Sequence, residues 1–248
     1  MSKKALVIPD CHVPYHHKRA FEIVLEMAKD TKDLQELVIL GDFADFYAVN
    51  AHGKHPHLLH TLMKEIEEVN ACLDVIDAEF PGIQKVFLEG NHEYRLERYI
   101  HQNASALFGI TQWDMLFKLD KRPKWKAVDY GFMQYHKVLG SDLYARHEPY
   151  SMSSAKASLS ASACNLVYGH VHRIDEAITR RPDNSRVVNF TPGWLGDNRK
   201  KDVFGYVKRP PNWQMGCAFV EVEGREFEYE IVKLNERARC RYNGKSYR

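Results

Sequence analysis

Short apolar runs alternate with amphipathic segments along residues 1–91. The runs KALVIPD, ELVILGD and KVFLEGN are rich in aliphatic side chains and each ends in a polar residue, which predicts three buried strands. Between these runs, apolar residues recur at helical spacing over residues 17–30 and 58–80, and Pro81 and Gly82 stop the second helix. The order β-α-β-α-β predicts parallel strands that are joined by helical crossovers.

The chain becomes mostly β in character beyond residue 175. Before that point we expect helices and strands in turn: helices over 94–107, 111–119 and 153–163, and strands within 131–140, 142–147 and 165–172. After it we expect strands at 176–182, 186–194, 216–224 and 225–234, the last two joined by a Gly-containing turn. Because no repeat or long linker interrupts the chain, we expect a single α/β domain over 1–248, with a β-rich part at 175–235 and a basic tail at 236–248.

Composition and charge bear on the partners of the protein and on its location in the cell. The formal net charge of only +2 does not by itself indicate nucleic acid or an anionic membrane surface as a partner. Apolar runs fall short of the roughly 18 residues that a membrane span needs, so we expect no membrane association. The number of cysteines is odd, at five, and no C-x-x-C pair occurs among them, which favours a reducing, cytoplasmic location.

Polar side chains that can bind metal follow several predicted strands. They are Asp10 and His12, Asp42 and Asp45, the segment Gly-Asn-His-Glu at 90–93, His147, and His170 with His172. Ligands bind at the carboxyl ends of strands in open α/β sheets, so these groups are expected at one edge. Because i and i+2 of an extended chain face the same side, we expect Asp10 to converge with His12, and His170 with His172. Glycines 41, 90 and 169 would allow close backbone approach.

The chemistry of this donor set favours a pair of metals. Imidazole, carboxylate and amide oxygen donors together suit Mn²⁺, Fe²⁺ or Zn²⁺. One ion cannot use so many ligands, whereas two ions can share them through a bridging carboxylate, as in phosphoester chemistry.

The ordered series D-x-H, G-D-x-x-D, G-N-H-E, H and G-H-x-H resembles the calcineurin-like metallophosphoesterase superfamily. It runs from residue 10 to residue 172, about two-thirds of the chain. The resemblance implies a four-layer αββα sandwich with two mixed β-sheets, and two divalent ions as cofactors. Mn²⁺ is the favoured ion, with Fe²⁺, Zn²⁺, Ni²⁺ and Mg²⁺ as alternatives.

The resemblance also implies roles for individual residues. Asp10, His12 and His172 look like the ligands of one metal, and Asn91, His147 and His170 look like those of the other. Asp42 looks like the bridging carboxylate between them. His92 resembles the family's proton donor to the leaving oxygen, and Asp45 would orient it. Asn91 is also expected to face the substrate, and Glu93 is expected to cap the next helix.

Several of these positions have alternative interpretations. His136 competes with His147, because the family usually places glycine after this histidine and here the residue is Glu148. Asp45 could instead cap a turn, and His92 could pack in one. Arg95 could reach a substrate phosphate or, with Arg98, form a salt-bridged surface. Trp194 could stack on a base or ring, or simply pack. The four histidines at 52, 55, 57 and 60 are interpreted as a solvated loop.

The expected function is metal-dependent phosphoester hydrolysis, with a phosphodiesterase or nuclease favoured. Basic stretches at 198–211 and 237–248 are interleaved with aromatic residues and could hold DNA or RNA. A phosphoprotein phosphatase is disfavoured, because Phe46 and Tyr47 stand where that branch carries Arg-Gly. The alternatives are a small-molecule phosphomonoesterase and a non-catalytic binding protein that retains the fold. The oligomeric state stays open.

Overall fold

The computed structural model describes residues 2–50, 61–131, 133–199 and 211–248. Its first five regular elements are the predicted strand–helix alternation. They are β1 (Lys3–Ile8), α1 (Lys18–Asp30), β2 (Leu34–Ile39), α2 (Leu62–Glu79) and β3 (Gln84–Leu88). Strand β2 pairs in parallel with both β1 and β3, which confirms the predicted crossovers.

The later elements contain more strand than helix. They are α3 (Tyr94–Asn103), α4 (Trp113–Leu116), β4 (Trp125–Val128), β5 (His136–Lys137), β6 (Tyr144–Arg146), α5 (Ala155–Ser162), β7 (Leu166–Tyr168), β8 (Ile174–Arg180), β9 (Arg186–Pro192), β10 (Gly216–Glu223), β11 (Glu226–Lys233), β12 (Cys240–Tyr242) and β13 (Lys245–Tyr247). Single 3₁₀ turns occur at Tyr47–Val49, Ser105–Leu107, Leu119–Lys121 and Val138–Gly140.

The described strands form two larger sheets and a small hairpin. One sheet has the order β11-β10-β1-β2-β3-β4, and the other has the order β5-β6-β7-β9-β8. The first sheet is parallel from β1 to β4 and antiparallel at β10 and β11. The second is parallel along β6, β7 and β9, with antiparallel strands at both edges. Both sheets are therefore mixed, as the resemblance implies.

Strand β1 shows why its sequence is a continuous apolar run. Ala5 and Val7 belong to an apolar cluster that also contains Val167 and Phe190 of the second sheet. Leu6 and Ile8 face the opposite way, into a cluster with α1 and α2. Successive side chains of a strand point to opposite faces, so burial on both faces requires apolar residues throughout. The two sheets thus pack on each other and helices cover the first sheet; the complete four-layer order stays a prediction.

The structure differs from the sequence-based prediction at several places. Strand β4 was not predicted, because only one of its four residues is buried and four residues are too few to show a period. The predicted helix at 111–119 shortens to α4, since Lys118 adopts a left-handed φ of 56°. The strand expected within 131–140 reduces to two residues, His136–Lys137.

The basic tail forms the β12–β13 hairpin, which was also not predicted. Tyr242 stacks on Phe219 with ring centroids 4.2 Å apart. The Tyr247 hydroxyl donates to the Asp30 carboxylate at 2.7 Å. These contacts anchor the hairpin on α1 and the first sheet, although its sequence is mostly polar.

Two sequence features lie outside the described residues. The four histidines at 52–60 are not described, and neither is most of the basic stretch at 198–211. Within the described ranges, no helix is long and apolar enough to cross a membrane.

Candidate metal centre

Loops that leave five parallel strands bring the candidate ligands together. Asp10 and His12 follow β1, Asp42 follows β2, and Asn91 follows β3 in the first sheet. In the second sheet, His147 follows β6, and His170 with His172 follows β7. The carboxyl ends of parallel strands therefore deliver these groups to a shared edge, as predicted. Asn91 and His170 are half-buried, and the others are buried.

The backbone at this edge is not extended. His12, Asp42, His170 and His172 all have a positive φ, at 54°, 47°, 69° and 56°. A non-glycine residue in this region costs about 1–2 kcal/mol. The surrounding packing therefore holds several strained residues in one place, which is typical of functional sites. The prediction from extended-chain alternation was wrong in its reasoning, although each predicted residue reaches the edge.

The first cluster contains Asp10, His12, Asp42 and His172, whose ligand atoms all lie within 4.8 Å of one another. Nε2 of His12 lies 3.0 Å from Nε2 of His172. His172 Nε2 is also 3.2 Å from the Asp10 carboxylate, and His12 Nε2 is 3.9 Å from that of Asp42. All four side chains thus direct a donor atom toward one point.

The second cluster contains Asp42, His147 and His170, within the same 4.8 Å limit. Asn91 completes it, because its Oδ1 lies 2.9 Å from His147 Nε2 and 2.7 Å from His170 Nδ1. His147 Nε2 is 3.3 Å from an Asp42 carboxylate oxygen. His170 and His172 therefore belong to different clusters, as the resemblance implied. The expectation from extended-chain spacing that both converge on one point was wrong.

These donors fit divalent metal ions. Two ligands with bonds of about 2.1 Å to one ion lie about 3.0–3.4 Å apart. The separations between donor atoms in both clusters are close to that range. Asp42 belongs to both clusters and offers one oxygen to each, Oδ2 toward His12 and Oδ1 toward His147. Imidazole and oxygen donors together suit Mn²⁺, Fe²⁺ and Zn²⁺.

Hydrogen bonds behind the clusters fix the orientation of the imidazoles. His147 Nδ1 donates to the Leu40 carbonyl at 2.9 Å, which leaves Nε2 to face the cluster. His12 Nδ1 donates to the Asp45 carboxylate at 2.9 Å in the same way. Such outer partners select the tautomer and raise the basicity of a ligating imidazole.

Charges at this edge shift the pKa values of several groups. Burial opposes ionisation of Asp42, but His147 and His92 hold its pKa well below the usual range. Burial also lowers the pKa of His147, yet the Asp42 carboxylate raises it to about 10. Burial and the neighbouring His92 lower the pKa of His12 to about 4, so its ring is neutral at pH 7. The Asp42 carboxylate thus stabilises positive charge on its neighbour His147, as it would stabilise a bound cation.

His136, the competitor of His147, lies elsewhere. Its Nε2 is 2.9 Å from the Glu36 carboxylate, near the start of β2. It belongs to none of the metal-compatible groups found among the described residues. The geometry therefore favours His147 as the histidine of the second cluster.

His92 lies against both clusters, and its surroundings differ in part from the prediction. Its Nδ1 donates to the backbone carbonyl of Asp45 at 2.9 Å, while the Asp45 carboxylate is 3.4 Å away. The Asp45 carboxylate is closer to His12, so it supports a candidate ligand as well as His92. Arg95 Nη2 donates to His92 Nε2 at 2.7 Å, a contact that the sequence did not reveal.

Glu93 has a role that the sequence did not predict. It precedes α3 but makes no capping hydrogen bond with its side chain, so the capping prediction was wrong. Its buried carboxylate instead accepts from the backbone N–H groups of Asp42, Ala44 and Gly90, at 2.9, 2.8 and 3.0 Å. Glu93 therefore ties the loop after β2 to the loop after β3.

Gly90 is required where these two loops meet. A Cβ atom at this position would lie 2.2 Å from the Asp42 backbone nitrogen and 2.3 Å from its Oδ1. This confirms the close approach expected of this glycine, and the backbone of Asp42 depends on it.

Trp194 packs beneath the first cluster. Its ring is fully buried and stacks on His172, with centroids 4.8 Å apart and an interplanar angle of 15°. A buried ring offers no face to a base, so the structure corrects the stacking interpretation in favour of the packing one. Its effect on the site is to hold the His172 imidazole in place.

Comparisons with known proteins show that this chain is similar to phage proteins. No family model matches the chain. The chain is similar to the Gene 54 protein of Mycobacterium phage L5, at 25% identity over 251 residues that cover 94% of each chain. It is also similar to the Gene 54 protein of Mycobacterium phage D29, at 24% identity with the same coverage. Neither name states an activity.

Proposed function

We propose that this chain is a two-metal phosphoester hydrolase of the calcineurin-like type. The observation that carries the proposal is the pair of buried donor clusters that share Asp42. Asp10, His12 and His172 would hold one ion, and Asn91, His147 and His170 the other. The same likeness underlies our proposal of a four-layer αββα sandwich. The five cysteines are all unpaired, which supports the proposed cytoplasmic location.

Two bound divalent ions would supply a nucleophilic water of lowered pKa and neutralise charge on the phosphoryl oxygens. His92 would donate a proton to the leaving group. Its Nδ1 is held by the Asp45 carbonyl, so Nε2 is the atom that meets a leaving oxygen. Nε2 also lies 3.7 Å from Asp42 Oδ2, which places it beside the point where the clusters meet. A hydrogen bond from Nε2 to the leaving oxygen would deliver the proton.

Arg95 would be the cation that accompanies this step. Its guanidinium contacts both His92 Nε2 and the Asp45 carbonyl, so it borders the same space. For His92 to act as a proton donor, Arg95 must release Nε2, and it can then pair with a phosphoryl oxygen. Arg95 is therefore proposed to contact the phosphoryl group of the substrate.

We favour a phosphodiester of a nucleic acid or nucleotide as the substrate. Phe46 is buried at the position where a phosphoprotein phosphatase would carry its arginine. Arg237, Arg239 and Arg241 are exposed on and before β12, where they could contact a phosphate backbone. A phosphomonoester and a purely binding function are the alternatives that the following experiment separates.

The experiment compares hydrolysis of bis-p-nitrophenyl phosphate and p-nitrophenyl phosphate by metal-stripped protein with and without added Mn²⁺. We expect turnover of the diester that requires metal. His92→Gln should reduce it by about 10²–10⁴-fold while Mn²⁺ binding is retained. His101→Gln, at an exposed position of α3, is the matched control and should be neutral. Preference for the monoester would favour the phosphomonoesterase, and absence of turnover with Mn²⁺ bound would favour a binding protein.

A further inference from the structure

Two cavities lie side by side, and the smaller of them borders the second cluster. The smaller, which we call the Glu89 cavity, has a volume of about 120 Å³ and includes Glu89, Asp129, Tyr130 and Glu148 in its lining. His147 also lines it, so the cavity borders the proposed phosphoester site. A larger cavity of about 520 Å³ shares Glu89, Asp129 and Tyr130 with it. The combined space is comparable to the roughly 300–1,000 Å³ of small-molecule sites.

Glu89 is the unusual group in this space. It follows β3 directly and its side chain is buried, with only 4% of the residue exposed. Its Oε2 accepts from the Tyr130 backbone N–H at 2.7 Å. Its Oε1 is buried and has no hydrogen-bond partner within the described ranges. A buried acceptor without a partner costs free energy, so a ligand that donates a hydrogen bond to Oε1 would be stabilised.

The other groups around Glu89 also favour a donor ligand. The Glu89 cavity has two further carboxyl groups, Asp129 and Glu148, and the larger cavity adds Glu97 and Asp114. Arg146, the arginine in the lining, places its guanidinium over the ring of Tyr150 at 4.6 Å. The five carboxyl groups outnumber the donors Arg146 and His147 in this lining, so the space suits a ligand with N–H groups better than a phosphate.

An aromatic pair borders the carboxyl groups. The Tyr130 hydroxyl donates to Glu148, and its ring stacks on Tyr94 with centroids 5.2 Å apart. Contact with such rings stabilises planar or cationic groups of a ligand.

We propose that the Glu89 cavity binds an amino-bearing part of the substrate while the phosphoester lies at the metal clusters. This inference rests on the proposed function and names the class of substrate. The amino group would donate to Glu89 Oε1, and the organic group that carries it would lie along Tyr130. Two sources share this chemistry: the exocyclic amine of a nucleobase, and an alkylammonium group.

The test measures binding of two ligand pairs to the full chain with Mn²⁺ by isothermal titration calorimetry. The first pair is the phosphonate analogues of CMP and UMP, in which a methylene group replaces the bridging oxygen so that neither is hydrolysed. Cytosine carries an amino donor where uracil carries a carbonyl acceptor. The second pair, 2-aminoethylphosphonate and ethylphosphonate, differs in the ammonium group alone. We expect the amino-bearing member of one pair to bind about fivefold to tenfold more tightly.

The variant Glu89→Gln tests the role of the carboxyl group. Glutamine can still accept from the Tyr130 N–H, but its NH₂ group then faces the cavity, so the preference should vanish or reverse. Glu228→Gln, at an exposed position of β11, is the matched control and should leave the preference unchanged. Asp129→Asn, at an exposed position of the lining, should weaken the preference to a smaller degree.

Each outcome decides the inference. A preference within the first pair assigns the amino group to a base, and a preference within the second assigns it to an alkylammonium. No preference in either pair, or a preference that survives in Glu89→Gln, overturns the inference. The wild-type comparison needs no variant, so it stands even if Glu89→Gln does not fold. Diester turnover by the same protein stock shows separately whether the proposed function holds.

Discussion

Gly90→Ala tests the close approach of the two loops that hold Asp42. The added Cβ would lie 2.2 Å from the Asp42 backbone nitrogen, 2.3 Å from Asp42 Oδ1 and 2.9 Å from Glu93 Oε2. Normal contacts exceed 3.4 Å, so the Asp42 backbone must move by about 1 Å. Such overpacking costs about 1–3 kcal/mol.

The displacement would also weaken hydrogen bonds that depend on Asp42. Its Oδ1 accepts from the His92 N–H at 2.8 Å, and its own N–H donates to Glu93 at 2.9 Å. Each bond contributes about 1 kcal/mol. We therefore expect Gly90→Ala to lower the free energy of unfolding by about 3–5 kcal/mol. It should also weaken metal binding at both clusters, since Asp42 belongs to both.

The assay is urea unfolding followed by circular dichroism, together with Mn²⁺ binding by equilibrium dialysis. Gly82→Ala is the matched control, because a Cβ there has no atom of the described chain within 4 Å. Its free energy of unfolding should be unchanged or higher by about 0.4–1 kcal/mol, since alanine restricts the unfolded chain. Equal stability and equal Mn²⁺ binding in the two variants would refute the close packing of the loops after β2 and β3.

Two further predictions concern groups around the clusters. Asp45→Asn removes the carboxylate that holds His12 Nδ1, so Mn²⁺ affinity at the first cluster should fall about 10- to 100-fold in a competition titration. Unchanged affinity would show that Asp45 does not support His12. Burial, followed by the charge of Asp45, raises the pKa of Glu65 to about 8. The stability that Glu65 contributes is therefore complete below about pH 4.5 and is lost as the pH rises through about 8. Glutamine does not titrate, so Glu65→Gln should not lose this stability as the pH rises. The difference in free energy of unfolding between the variant and the wild type should therefore grow by up to about 1.4 kcal/mol per pH unit from pH 5 to pH 8. Parallel curves of stability against pH would contradict the raised pKa of Glu65.

The sequence predicted which residues gather at the strand ends, but not the backbone conformation that directs their side chains there. Strand period and residue chemistry act locally, and they were enough to place Asp10, His12 and Asp42 after their strands. The resemblance implied that His170 and His172 belong to different metals, but the strand period did not. Their division depends on a left-handed backbone, which no local pattern of non-glycine residues indicates.

Long-range contacts account for the other differences. Glu93 accepts hydrogen bonds from two loops that meet only in the folded chain, so its spacing before α3 suggested a cap instead. The β12–β13 hairpin is polar in sequence, and its order depends on contacts of Tyr242 and Tyr247 with distant elements. Tertiary contacts of this kind override local propensity.

The central claim is that Asp42 joins two metal sites in one chain. The most direct measurement is the Mn²⁺ stoichiometry of metal-stripped protein by equilibrium dialysis, with electron paramagnetic resonance of the loaded protein. We predict two Mn²⁺ per chain with the spectrum of a coupled pair, loss of one ion in His172→Ala, and loss of coupling in Asp42→Asn. Binding of a single uncoupled Mn²⁺, or of none, would contradict the claim.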